Sequence, residues 1–174
     1  VWAAFHAGLG VNPVEYAEHQ TGDWALNFIC ASLCMTPMAR LTKSSWWAKH
    51  RRMIGLFAGF YATLHFLVYF GIDQELSVSD AWHDVAKRPY ITVGFAAFVI
   101  LAALSLTSTD AMIRRMKRWW GRLHKLVYVA AALAVVHYYW LVKSDHRGPL
   151  RYAVVIGALL SYRAVTKARS TFNW

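Results

Sequence analysis

Stretches without one charged side chain recur along this chain at helical length: Val1–Val14, Trp24–Ala39, Met53–Ile72, Pro89–Thr109, Leu126–Val142 and Tyr152–Tyr162. About 20 apolar residues cross a bilayer core of roughly 30 Å. Met53–Ile72 and Pro89–Thr109 reach that length unaided. Trp24–Ala39 and Leu126–Val142 reach it if Arg40 and Lys143 snorkel. Tyr152–Tyr162 needs Arg163 to snorkel and the helix to continue through Ala164–Thr166. Val1–Val14 reads as the tail of a further helix whose upstream part is missing, and no basic region precedes it to suggest a cleaved signal peptide.

Composition supports this reading, with 57% hydrophobic residues, 16% charged and a mean hydropathy of +0.30. An ordinary soluble domain carries about 25% charged residues. The position of the charges decides the matter. Fourteen of the 19 basic residues fall in alternate connections: Arg40–Arg52, Arg114–Lys125 and the segment from Arg163. Eight of the nine acids fall in the other connections, and Asp110 is the exception. A soluble helical bundle has no reason to sort charge by loop parity, whereas membrane topology follows the positive-inside rule. The basic connections and the C-terminus are therefore expected on the cytoplasmic side, and the charge needs no nucleic acid to explain it. Aromatic residues near the run ends, among them Trp24, Trp46, Trp82 and Trp119, fit interfacial belts. Cys30 and Cys34 read as small core residues.

Of eight histidines, most lie in polar connections or at an uncertain helix end; His65 and His137 lie well inside apolar runs, while His124 begins the fifth run at its inner edge. A polar side chain at membrane depth is costly unless partnered, so these residues are candidates for function. A hydrogen bond across a helix interface, a proton relay and axial ligation of a b-type heme all account for such a histidine. No run holds an Asp or Glu for a relay. His65 lies about seven residues from the outer end of its run and His137 about six from Lys143. At about 1.5 Å per residue both rings share one depth in the outer half. Bis-imidazole heme ligation needs that coincidence.

His124 precedes His137 by about 20 Å of helix and points about 140° away on an ideal helix. A second heme through His124 and His50, or contact with a heme propionate or lipid phosphate, accounts for it. No dinucleotide or phosphate-loop motif occurs. Arg114–Lys125, with Trp119 and Trp120 among six cations, is suited either to an interfacial loop or to an anionic flavin.

Several segments then resemble one family: Asn12–Gly22, Thr36–Arg40, Tyr61–Phe66, Arg88–Gly94, Thr107–Met112, Leu123–Tyr128 and His137–Lys143. In order and spacing they are similar to the MsrQ (YedZ) family, within the ferric-reductase-like transmembrane group. The resemblance implies an all-α integral membrane protein, a six-helix transmembrane bundle with its first helix truncated here, forming one heme-binding domain over residues 1–174. It implies a multi-pass protein of the bacterial inner membrane that binds heme b, with FMN also attributed to the family. The family's heme-linked histidines fall on His65, His124 and His137. The implied role is an electron conduit rather than a substrate-converting enzyme. Electrons would come from the quinone pool or a cytoplasmic flavin reductase, because no dehydrogenase domain follows Trp174. They would pass to a periplasmic molybdenum-containing methionine-sulfoxide reductase that repairs oxidised proteins. The competing readings are a cytochrome b serving another periplasmic reductase and a heme-free proton or metal transporter.

Overall fold

A computed structural model describes residues 13–172, all α-helical or in turns, with no strand among them. Helix α1 covers Pro13–Leu41 and α2 covers Ser45–Val68, continued by a π-turn over Tyr69–Asp73. Helix α3 is Val78–Lys87 and α4 is Pro89–Leu106. Two short helices follow, α5 at Asp110–Met116 and α6 at Arg118–Leu123. A 3-10 turn at His124–Leu126 leads into α7, Val127–Leu141, and α8 is Arg147–Phe172. Five of the six uncharged runs thus lie in α1, α2, α4, α7 and α8. Residues 1–12 of the sixth, Val1–Val14, lie outside the described residues.

The helix boundaries follow from local chemistry. Ser44, Ser77 and Thr109 stand at N-caps and accept from the amides of Trp46, Asp80 and Met112. Each satisfies one of the donors that a helix start leaves open. Pro89 occupies the first turn of α4, where its missing N–H costs nothing. Lys43 and Lys117 adopt positive φ (51° and 49°) at the breaks before α2 and α6. Among the described residues, α2 with its π-turn (Ser45–Asp73) and α4 (Pro89–Leu106) are long and apolar enough to span a membrane.

Packing is that of a membrane bundle. The buried positions are rich in small residues, Ala25, Ala58, Ala62, Ala97, Ala130 and Ala131, and no polar residue is buried among the described ones. Leu56, Phe57, Phe60, Val99, Val129 and Val154 point outward and are exposed. Small residues inside and large apolar ones outside suit helices that associate by close backbone approach in lipid. Gly59 permits one such approach, because a Cβ there would collide with Ser105 of α4. Helix α1 packs most extensively on α2, and α4 on α7; α2 and α4 join the two pairs.

Charge sorting survives folding. Arg52, before the third run, pairs with Asp110, after the fourth, at 2.5 Å. Arg163 of α8 donates to the carbonyl of Leu33 and the hydroxyl of Thr36, both in the inner half of α1. The basic connections therefore meet at one end of the bundle.

Candidate heme site and inner cavity

At the opposite end, α1, α2, α4 and α7 enclose a cavity of about 410 Å³. His65 and His137 face each other there, ring centroids 6.2 Å apart and planes crossed at 75°. The shared depth expected from the two run positions is observed. Each Nδ1 is tied to a main-chain oxygen of a neighbouring helix. His65 Nδ1 donates to the Glu18 carbonyl at 2.9 Å, and His137 Nδ1 donates to the Tyr90 carbonyl at 2.7 Å. A carbonyl only accepts, so Nδ1 carries the proton and Nε2 keeps its lone pair. Such an outer partner is the usual companion of a metal-bound imidazole.

Two glycines make room for these rings. A Cβ on Gly94 would come within 2.6 Å of His137 Nδ1, and one on Gly22 would lie 3.4 Å from His65. Neither the two glycines nor the two carbonyls carry a site signal in residue type or spacing alone. Gly22 and Gly94 do close two of the segments that carried the family resemblance.

The donor set fits a heme. With a metal–imidazole bond of about 2 Å, each ring centroid lies about 3 Å from the metal. Two imidazoles on opposite sides of one iron then stand about 6 Å apart, as these two do. Phe66, Phe95 and Phe98 supply apolar wall, with Phe66 and Phe98 stacked at 4.6 Å. Glu18 Oε1 and the Tyr69 hydroxyl, both in the lining, are buried without a hydrogen-bond partner. A ligand with polar edge groups would satisfy them. Among the described residues no three His, Cys, Asp or Glu side chains gather as a metal cluster.

His124 lies in a separate inner cavity of about 470 Å³. Its Nδ1 donates to the Trp120 carbonyl at 3.1 Å, its Nε2 lies 3.2 Å from the Ser108 hydroxyl, and its ring stacks on Trp120 at 3.9 Å. A 3-10 turn at His124–Leu126 precedes α7, and His124 and His137 line different cavities. Among the described residues no second histidine lines the inner one: from α2 it receives Arg51 and Arg52, while His50 packs on Trp46 outside the lining. The structure thus brings His65 to His137 and does not bring His50 to His124.

Comparison with known proteins agrees with this architecture. Residues 21–135 match the family model described as the ferric reductase like transmembrane component. A heme-binding subunit MsrQ of protein-methionine-sulfoxide reductase from Xanthomonas oryzae pv. oryzae (strain MAFF 311018) is 46% identical over 167 residues, covering 96% of this chain and 77% of that protein. The similarly named subunit from Herminiimonas arsenicoxydans is 47% identical over 160 residues, covering 89% and 72%. No solved structure matches the chain. An all-helical membrane bundle with this sequence kinship belongs to the ferric-reductase-like transmembrane family and, within it, to the MsrQ subunits.

Proposed function

We propose that this chain is the membrane electron-transfer subunit of a methionine-sulfoxide reductase system, with one heme b held between α2 and α7 by His65 and His137. The observation that carries this reading is the pair of facing imidazoles, 6.2 Å apart, each with its Nδ1 proton fixed by a carbonyl. The relatives' names, which describe heme-binding subunits of that reductase, support it.

A heme bound there supplies a carrier that takes and gives one electron at a time. The protein does the rest. Glu18 and Tyr90, through their carbonyls, orient the two ligands and raise their basicity. Gly22 and Gly94 admit the rings, and the phenylalanine wall keeps the site dry, which tunes the potential. Electrons enter at the cytoplasmic face, from quinol or a flavin reductase, on the side where His124 lines the inner cavity, and FMN is a further expected cofactor of the chain. They leave at the periplasmic face, where Ile72–Arg88 and Ser144–Arg151 form the docking surface for a molybdenum-containing reductase. In this reading the protein lies in the bacterial inner membrane with its C-terminus in the cytoplasm, and the sorting of basic residues to alternate connections supports that orientation.

The test is an absorption spectrum of the purified, dithionite-reduced protein. Low-spin bis-imidazole bands that vanish in His65→Ala and in His137→Ala support the reading. A colourless protein after expression with ample heme, or a full low-spin spectrum in either variant, overturns it. Co-purification with a periplasmic molybdoprotein tests the partner.

A further inference from the structure

Helix α3, Val78–Lys87, carries three stripes, because side chains three or four positions apart share one face of a helix. Ala81, Asp84 and Val85 are half-buried and turn to the bundle. The Asp84 carboxylate accepts from Gln74 Nε2 at 3.2 Å and lies 3.3 Å from Arg88 Nε, while the Val85 carbonyl accepts from the Thr92 hydroxyl of α4. Ser79, His83 and Lys87 form a second stripe, polar and exposed, with Asp80 at its edge. Val78, Trp82 and Ala86 form the third, which is apolar and also exposed: Val78 is 72% accessible and Trp82 69%. Two stripes suffice for a helix packed between protein and water. The apolar one points to a third surrounding.

Position limits what that surrounding is. Four residues join the π-turn of α2, ending at Asp73, to the start of α3, and Arg88 alone joins α3 to Pro89 of α4. Both neighbours are the helices long and apolar enough to span a membrane. Ten residues of helix extend about 15 Å, half of a hydrocarbon core of roughly 30 Å. Tied at both ends to the ends of two spanning helices, α3 stays at the level of the lipid headgroups. Its apolar stripe also continues an existing surface. Phe60, Leu67 and Ile72 are exposed along α2 and its π-turn, and Leu76 follows them on the way to Val78. Tryptophan favours this level, where its ring meets acyl chains and its N–H meets water.

We propose that α3 is an interfacial helix, with Val78 and Trp82 seated among the lipids at the end opposite the basic connections and with Ser79, His83 and Lys87 in water. Short amphipathic helices with tryptophan on the apolar face lie in the headgroup layer in this way. Lipid thereby supports the helix that supplies Val85 to the wall of the outer cavity. The inference narrows the docking surface within Ile72–Arg88 to its polar stripe. It rests on the membrane fold and not on the heme, so a colourless protein would leave it standing.

The experiment uses the full chain with Cys30→Ser and Cys34→Ser, in phosphatidylcholine vesicles. One nitroxide-labelled cysteine is introduced at a time, by Val78→Cys, Trp82→Cys, Ser79→Cys or His83→Cys. Oxygen concentrates in lipid and a nickel chelate stays in water, so the ratio of their effects on the nitroxide signal reads the surroundings. That ratio should be several-fold higher for Val78→Cys and Trp82→Cys than for Ser79→Cys and His83→Cys. Two sites on each stripe keep the contrast readable where one variant fails to fold. Equal ratios on the two stripes overturn the proposal. Poor access of both reagents to the apolar stripe overturns it too, because it marks a protein cover, from a second copy of the chain or from the reductase.

Discussion

The imidazole of His137 occupies the space that a side chain on Gly94 would need: a Cβ there would stand 2.6 Å from Nδ1. The atom it would strike is the one that donates to the Tyr90 carbonyl. Gly94→Ala must therefore push the ring off its anchor, an overpacking that costs about 1–3 kcal/mol. The expected outcome is loss of most of the bound heme, or a broadened and shifted low-spin spectrum. Gly22→Ala, whose Cβ would meet His65 at an ordinary 3.4 Å, should keep the spectrum. Equal heme content in the two variants would contradict this account.

A second contrast concerns helix packing away from His65 and His137. Gly59→Ala forces α2 against Ser105 of α4, whereas Gly71 has nothing within 4 Å of its virtual Cβ. Thermal unfolding followed by heme absorbance should drop by several degrees for Gly59→Ala and hardly move for Gly71→Ala.

The Arg52–Asp110 pair makes a pH-dependent contribution. The hydrogen bond and charge of Arg52 hold the Asp110 carboxyl below its usual range. A depressed carboxylate pKa adds stability above the unfolded value, and that stability is lost as pH falls through the folded value. Both groups are largely in solvent, so the effect is small. Asp110→Asn should lower the unfolding midpoint slightly at pH 7 and not at all near pH 2. A difference that persists at the acid end would assign the effect to something other than the ion pair.

Topology can be read by thiol labelling in a Cys30→Ser, Cys34→Ser background. Ser79→Cys, exposed on α3, should react with an impermeant maleimide added to intact spheroplasts. Ala111→Cys, exposed on α5, should react only after permeabilisation. The reverse pattern would invert the assigned orientation.

The sequence was most informative where membrane physics acts on whole segments. Uncharged runs gave the long helices, loop parity of charge gave two distinct ends, and counting residues from the run ends placed His65 and His137 at one level. It was least informative where geometry depends on the main chain. The carbonyls of Glu18 and Tyr90 leave no trace in residue type. The break at Lys117, which divides Arg114–Lys125 into two short helices, has no glycine or proline to announce it. By sequence alone Arg163 is expected to snorkel and lengthen the last run. In the structure it turns across to α1 and also meets the Tyr128 hydroxyl. That preference is decided by what lies opposite, which one helix cannot disclose.

Anchoring both rings through peptide oxygens has an evolutionary consequence. Side-chain anchors can be deleted by a single codon change, but a peptide oxygen at position 18 or 90 persists whatever residue is encoded there. Genetic drift can therefore rewrite the surroundings of His65 and His137 while both rings keep their aim, and a shift of a helix, or a new side chain at Gly94, would spoil it.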